Sequence, residues 1–139
     1  EIYWGDFVPA FVEAMQTFPI YRKDIEENLE AAQLSLDDVC YLNVLQYRCR
    51  EDAYPKNNTD RTTIVDSSIN KFLKPFLELA KPSMVVCLGV WVEDQLNEFW
   101  GDFPYETVVW DREQANTARR RERRQICLSK IQQKFVHSP

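Results

Sequence analysis

Residues 76–89 read Phe-Leu-Glu-Leu-Ala-Lys-Pro-Ser-Met-Val-Val-Cys-Leu-Gly, and this stretch decides the fold class. Pro82 ends a helical pattern, because proline has no amide hydrogen with which to continue one. The apolar run 84–88 has the length of a strand that is buried on both faces of a parallel sheet. Gly89 closes that strand, and the apolar face of a further helix is marked by Val92, Leu96 and Phe99. Helix, buried strand and helix in this order are typical of an α/β domain.

The same alternation continues towards the N-terminus. Residues 21–32 predict an amphipathic helix, because apolar positions recur at helical spacing between acidic residues. After a turn, residues 39–45 form a nearly continuous apolar run that is interrupted by Asn43. This run predicts a second strand buried on both faces. The polar stretch 50–61 predicts a loop.

A long helix is predicted between this loop and Pro82. Thr63 and Asp66 have the spacing of a capping box, which marks the first turn of a helix. One helical face then carries the apolar residues Val65, Ile69, Phe72, Leu73, Phe76, Leu77 and Ala80. Pro75 lies inside this pattern, where we expect it to cost about 3 kcal/mol or to kink the helix.

Residues 107–110 predict a third strand, and a long basic helix follows with apolar residues at Ala118, Ile126, Leu128, Ile131 and Phe135. This alternation predicts a single three-layer α/β/α domain over residues 1–139, with a mostly parallel sheet covered by helices on both sides. Ligand sites in such sheets lie at the carboxyl ends of strands, where Asn43, Gly89 and Asp111 fall. The chain begins with Glu1 rather than Met, so we expect a domain that is processed or N-terminally incomplete.

Charge is unevenly distributed along the chain. The formal net charge is −5, which taken alone argues against a nucleic-acid partner, because binding to phosphates needs a cationic surface. Residues 112–135 nevertheless hold eight lysines and arginines against two glutamates. One end of the protein is therefore basic, and the remainder is acidic.

The four cysteines indicate a reducing compartment. No two of them form a Cys-x-x-Cys pair, so we expect reduced structural thiols, no metal ion and no cofactor. No apolar run reaches the roughly 20 residues that a membrane helix needs, and residues 1–5 lack the pattern of a secretory signal. We therefore expect a cytoplasmic or nuclear protein that has no membrane partner.

Three stretches, in their order and separation, resemble the uracil-DNA glycosylase superfamily, most closely its bacterial and archaeal iron–sulfur branch. Residues 34–49, Leu-Ser-Leu-Asp-Asp-Val-Cys-Tyr-Leu-Asn-Val-Leu-Gln-Tyr-Arg-Cys, are similar to a turn, a strand and a "TNVVKCRP" segment of that family. Residues 72–89 look like its "FL…LELIKPKVIVALG" segment, and the spacing to a last strand and a final basic helix is also similar. The resemblance covers residues 20–135. It implies a glycosylase fold, DNA as the partner and hydrolysis of the N-glycosidic bond of a deaminated base.

The resemblance also implies roles for individual residues. Asn43 matches the asparagine that reads a flipped uracil, and its amide can donate and accept hydrogen bonds at once. The alternative for Asn43 is a buried amide satisfied by neighbouring backbone. Phe18 falls near the aromatic residue that stacks on the base, and its alternative is a core position. Asp6 falls where the family's Gly-rich loop positions water, and its alternative is a surface loop or chain end.

Two motifs of the family are missing from this chain. The family's His-Pro-Ser motif, whose histidine stabilises negative charge on the departing uracil, is replaced by residues 110–113, Trp-Asp-Arg-Glu. Asp111 would oppose that charge, so we assign it, with Asp6, to positioning water if the enzyme is active. Of the four cluster cysteines of the iron–sulfur branch, the third matches Cys49 and the fourth falls on Ile69. An iron–sulfur cluster is therefore not expected.

The final basic helix is a candidate DNA-binding surface. Residues 119–124 contain five arginines, with too few acidic residues at helical spacing to neutralise them. We assign DNA binding to Arg112, Arg119, Arg120, Arg123, Arg124 and Gly89. The alternative is a solvated helix, or a helix that is paired with the acidic remainder of the protein.

Two functions follow from these observations. The first is a uracil-DNA glycosylase-like protein that recognises DNA and, if active, excises a deaminated base. The second is a catalytically inactive module of the same fold that binds DNA or a protein partner. An unrelated nucleotide-binding α/β domain ranks below both, because three glycines in the whole chain leave no Gly-rich phosphate loop.

Overall fold

The computed structural model describes residues 13–14, 16–17, 21–44, 57–112 and 117–136. The chain divides into two compact units. The central unit consists of residues 42–109, and the terminal unit consists of residues 1–41 together with residues 110–139. Each unit has its own cluster of buried apolar residues.

The helices and strands follow one another in nearly the predicted order. They are a π-helical turn at Tyr21–Ile25, α1 at Glu26–Ala32, a 3₁₀ helix at Leu36–Asp38, α2 at Asn58–Ser68, a second π-helical turn at Ile69–Leu73, α3 at Lys74–Ala80, β1 at Val85–Leu88, α4 at Val90–Trp100, β2 at Thr107–Trp110 and α5 at Thr117–Phe135. Among the described residues, no helix is both long and apolar enough to cross a membrane.

The fold class is mixed α/β, as predicted, with helix in clear excess over strand. β1 and β2 form a two-stranded parallel sheet, and Val85 N donates a hydrogen bond of 2.8 Å to Glu106 O beside it. Both strands lie where the apolar runs 84–88 and 107–110 predicted them. α4 connects them as a crossover helix, which is the connection that parallel strands require.

The strand predicted over residues 39–45 is wrong for the part that the structure describes. Residues 39–44 are irregular, and Leu45 lies outside the described residues. Val44 is buried, and its carbonyl accepts a hydrogen bond of 2.7 Å from the Ser68 hydroxyl. The segment is therefore anchored to the end of α2 by a side chain, which satisfies a buried carbonyl without a ladder of strand hydrogen bonds.

α2 starts five residues before the predicted capping box. Asn57 caps the helix, because its side-chain oxygen accepts a hydrogen bond of 2.8 Å from Thr59 N. The box at Thr63 and Asp66 is therefore wrong as a helix start. Thr63 lies inside the helix, where its hydroxyl donates to Thr59 O at 2.9 Å, a bond that a mid-helix threonine commonly makes.

A π-helical turn redirects the apolar face of the long helix. Lys74 N donates to Ile69 O, five residues earlier, just before Pro75, which has no amide hydrogen to offer. The extra residue in the turn shifts all later side chains by roughly 100° around the axis. Leu73 and Leu77 therefore continue the buried face, and three residues predicted for it are exposed instead: Phe72 (48%), Phe76 (39%) and Ala80.

The core of the central unit packs the helices against β1. Ile69 and Cys87 are almost fully buried, and they lie in one cluster with Val44, Val65, Leu73, Leu77 and Leu96. The aromatic rings of Trp100, Phe103 and Tyr105 contact one another edge to face at the margin of this cluster. The Tyr105 hydroxyl donates to Leu77 O at 2.9 Å, which ties the segment before β2 to α3.

The terminal unit is built on the contact between α1 and α5. Ala32 of α1 is buried, as are Cys127 and Ile131 of α5. Gln33 ends α1 in the left-handed conformation, with a φ of 55°. Leu29 then packs on Leu36 of the 3₁₀ helix, so the turn after α1 has a small apolar core of its own.

Candidate nucleic-acid interface

α5 carries most of the positive charge of the terminal unit. Its 19 residues include seven lysines and arginines against one glutamate. The first turns hold five of the arginines, and two of these, Arg119 and Arg121, are exposed. The face of α5 that packs on α1 is different in character, since Cys127 and Ile131 are buried there.

Asp24 lies in the first π-helical turn and is a buried carboxylate, with 4% of the residue exposed. Its two oxygens are contacted from three directions. Trp110 Nε1 donates to Oδ1 at 3.1 Å, Arg112 Nε lies 3.1 Å from Oδ2, and Arg124 Nη2 lies 3.5 Å from Oδ1. The carboxylate therefore joins the end of β2 to α5 through one buried group.

Asp111 is the second buried carboxylate, with 1% of the residue exposed. Arg123 Nη1 donates to its Oδ2 at 2.9 Å, and Arg124 Nε donates to its main-chain oxygen at 2.8 Å. The Arg124 guanidinium also lies 4.3 Å above the Trp110 ring, within the range of a cation–π contact. We call Arg112, Arg123 and Arg124 the arginine cluster.

Local sequence explains how these groups meet. Trp110, Asp111 and Arg112 are consecutive at the end of β2, so the indole and the two charged groups leave the strand together. Arg123 and Arg124 lie one turn before Cys127 on α5, at the margin of its buried face.

A second set of contacts links the π-helical turn to α5 behind the ion pairs. Asn28 Nδ2 donates to Asp24 O at 2.8 Å, and Cys127 Sγ donates to Asn28 Oδ1 at 3.6 Å. Burial raises the pKa of the Cys127 thiol to about 11, and the positive charge of Lys130 lowers it by a smaller amount. Within the part of the chain that the structure describes, every buried side-chain nitrogen or oxygen has a hydrogen-bond partner.

The charges of the arginine cluster do not cancel. Among the described residues, three guanidinium groups meet two carboxylates here, which leaves one positive charge in excess. The arginine side chains are 45%, 36% and 23% exposed for Arg112, Arg123 and Arg124, whereas both carboxylate side chains are at most 5% exposed. The excess charge therefore lies on the solvent side of the cluster.

The predicted site residues fall in different parts of the chain. Asp6 and Phe18 lie outside the described residues. Asn43 is exposed in the central unit, and Gly89 follows β1 there with a φ of 109°, a backbone conformation that favours glycine. Asp111 belongs to the terminal unit and is an ion-pair partner of Arg123. Its role in positioning water stays a prediction.

The arginines that were predicted to bind DNA divide into two groups. Arg119 and Arg120 are in the first turn of α5, with Arg119 exposed and Arg120 partly buried. The arginine cluster, by contrast, is paired with Asp24 and Asp111, which corresponds to the alternative of a basic helix paired with acidic residues of the same protein.

Sequence reasoning missed Asp24, Asn28 and Trp110 as parts of this site. Asp24 and Asn28 are one helical turn apart on a helix whose other polar residues suggested a solvated face. The one local signal that could have indicated their burial is that they are polar residues at positions i and i+4, each beside an apolar neighbour. That signal is weak, because the partners lie more than 80 residues away along the chain.

Among the described residues, no group of three or more cysteines, histidines and carboxylates could hold a metal ion. Cys40 is exposed, and Cys87 and Cys127 are buried. Cys49 lies outside the described residues. The expectation of a metal-free protein stays a prediction.

No protein-family model matches this chain, and neither a curated protein nor a solved structure matches it significantly.

Proposed function

We propose that this chain is a uracil-DNA glycosylase-like protein that recognises DNA. The observation that carries the proposal is the concentration of arginines on α5 beside the carboxyl end of β2, with an excess of positive charge on the solvent side. Guanidinium groups bind phosphates in a planar, bidentate manner, which suits them to a nucleic-acid backbone. The order β1, Gly89, α4, β2 and basic α5 also agrees with the resemblance to the glycosylases.

We further propose that the helices and the parallel strands belong to a three-layer α/β/α arrangement of the glycosylase type. The observation that supports this proposal is the parallel pair β1 and β2 with its crossover helix. In this proposal Asn43 contacts the base. Its exposed position is compatible with contact to a ligand that arrives from solvent.

Binding without base excision is the form of this function that the site favours. Asp111, at the position of the family's catalytic histidine motif, is 1% exposed and accepts a hydrogen bond from Arg123. A carboxylate held in this way is an anchor for α5 and is poorly placed to reach a water molecule beside a substrate. The arginines that it and Asp24 hold are, in contrast, partly exposed.

Two measurements on the same preparation test the proposal. Fluorescence anisotropy with single- and double-stranded oligonucleotides should show binding that weakens steeply as salt is added, because bound phosphates release counterions. Incubation of uracil-containing oligonucleotides, followed by alkali cleavage, should show no strand breaks for a binding module and breaks for an active glycosylase. Absence of binding to every oligonucleotide at low salt would contradict DNA recognition and leave a protein partner as the alternative.

A further inference from the structure

We infer that the arginine cluster is a binding site for one phosphate group, and that Asp24 and Asp111 hold its arginines in place. This inference rests on the proposed function, because a nucleic-acid backbone is the phosphate source that it names. It also goes beyond that function, because it assigns a defined phosphate site to the arginine cluster. The ion pairs by themselves would give these arginines only a structural role.

The three guanidinium groups of the arginine cluster converge. Arg112 and Arg124 contact the two oxygens of the same Asp24 carboxylate, so their guanidinium groups lie close together. Arg123 contacts the Asp111 side chain while Arg124 contacts the main-chain oxygen of the same residue. Three guanidinium groups from two separate stretches of chain therefore converge on two adjacent anchors.

The charges of the arginine cluster favour the binding of an anion. Among the described residues, two carboxylates neutralise two of the three guanidinium groups, and the remaining single positive charge balances the single negative charge of one backbone phosphodiester. The carboxylates are buried and the guanidinium groups reach solvent. An anion therefore approaches the positive ends of the ion pairs, with the negative ends behind them.

The arginine cluster also supplies hydrogen-bond donors for a phosphate group. A guanidinium group carries five N–H donors. The contacts with the two aspartates use Nε of Arg112, Nη1 of Arg123, and Nε and Nη2 of Arg124. Each group thus has further donors, and Arg124 is additionally oriented by the Trp110 ring. Groups that are already oriented lose little conformational freedom when they bind a ligand.

Inorganic phosphate is the first probe, titrated against chloride at constant ionic strength and pH 7. The midpoint of thermal unfolding should rise with phosphate in the wild-type protein, because a ligand of the folded state stabilises it. Arg112→Gln should weaken the phosphate affinity about fourfold, the Coulomb effect of one charge at roughly 5 Å in water. Arg22→Gln is the matched control: it removes the same exposed charge from the same unit, and it should change the affinity less than about twofold.

Asp24→Asn separates a phosphate site from a purely structural ion-pair cluster. The amide oxygen can still accept the Trp110 indole hydrogen, while the net charge of the cluster rises by one. The variant should unfold at a lower temperature than the wild type and yet bind phosphate about fourfold more tightly. A structural role alone predicts the lower unfolding temperature without the tighter binding. Equal phosphate affinities in Asp24→Asn and the wild type would overturn the inference.

A DNA arm identifies the source of the phosphate. Arg112→Gln should reduce the slope of log K against log salt for duplex binding by about 0.9, the value for one phosphate contact, and Arg22→Gln should not. DNA binding with an unchanged slope in Arg112→Gln, together with no phosphate effect on unfolding, overturns the phosphate site and leaves the proposed function intact. Phosphate binding with no DNA binding overturns the proposed function, and the site then takes phosphate from another source.

Discussion

Asp24→Ala is expected to destabilise the protein by about 2–4 kcal/mol, although it changes one residue on the first turn of a helical segment. The largest contribution comes from Trp110, which is 0% exposed and donates its indole hydrogen to the Asp24 carboxylate. Alanine leaves that donor buried without an acceptor, at a cost of about 1–3 kcal/mol.

The ion pairs add less than their number suggests. Arg112 is 45% exposed, so solvent screens its attraction to Asp24, and pairs of this kind contribute about 0.2–1 kcal/mol. Arg124 lies 3.5 Å from the carboxylate but keeps its hydrogen bond to Asp111 O and its contact with the Trp110 ring. Asp24→Asn retains an acceptor for the indole, and it should therefore cost less than Asp24→Ala by at least about 1 kcal/mol.

Urea unfolding followed by tryptophan fluorescence measures these differences, provided that the m-value is unchanged between variants. Asp37→Ala is the control, because Asp37 is an exposed carboxylate on the neighbouring 3₁₀ helix and its loss should change stability by less than about 0.5 kcal/mol. Equal losses of stability in Asp24→Ala and Asp37→Ala would show that the buried hydrogen bond from the Trp110 indole does not stabilise the protein. Equal stabilities of Asp24→Ala and Asp24→Asn would show the same.

Five further outcomes are expected. Iodoacetamide at pH 8 should modify Cys40 before Cys127, as peptide mass mapping can show, because Cys40 is exposed whereas Cys127 is buried. Burial raises the pKa of the Cys127 thiol to about 11. The contribution of this thiol to the free energy of unfolding should therefore be complete below pH 9 and should decline as the pH rises towards 11. A Cys127→Ala variant should lack that decline. Reversing the charges of Arg119 and Arg120 to glutamate should abolish DNA binding at moderate salt, and unchanged anisotropy would contradict their assignment. Asn43→Leu should remove recognition of uracil while shifting the unfolding temperature little, since the position is exposed. Elemental analysis after anaerobic purification should find no stoichiometric iron or zinc.

The parts of the fold that the sequence predicted well are those decided by local pattern. β1, Gly89 and α4 follow from an apolar run, a glycine and a helical repeat within some 25 residues, and β2 follows from four apolar or β-branched residues in a row. In each case the residues that form the element also contain the signal. Distant contacts are not needed to recognise them.

The errors have a common physical origin. Residues 39–45 have the composition of a buried strand, but an apolar run becomes a strand only where another strand is available to pair with it. Residues 39–44 are irregular, and the Ser68 hydroxyl satisfies the Val44 carbonyl instead. The π-helical turn is a similar case. A helical period of 3.6 residues does not reveal an inserted residue, so Phe72, Phe76 and Ala80 were assigned to a face from which the turn removes them.

The candidate site was predictable in part. The charge of α5 and the position of Asp111 at the end of β2 were visible in the sequence, and both belong to the site. The anchoring role of Asp24 was not visible, because a solvated carboxylate and a buried one look alike on an amphipathic helix. The difference arises from Trp110 and Arg124, which are 86 and 100 residues away.

The ion pair of Asp111 bears directly on the proposed function. In the resemblance to the glycosylases, the segment after the last strand supplies the group that stabilises charge on the departing base. Here the same segment supplies Trp110 as a buried donor, Asp111 as an anchor for Arg123, and Arg112 as a partner of Asp24. A segment engaged in this way fixes α5 in place, and fixing a basic helix is useful for binding phosphates. Placing histidine at residue 111 would remove the anchor of Arg123, so it should lower the unfolding temperature without producing an active glycosylase. Excision of uracil by an Asp111→His variant that retains full DNA affinity would show that the segment is free to serve catalysis.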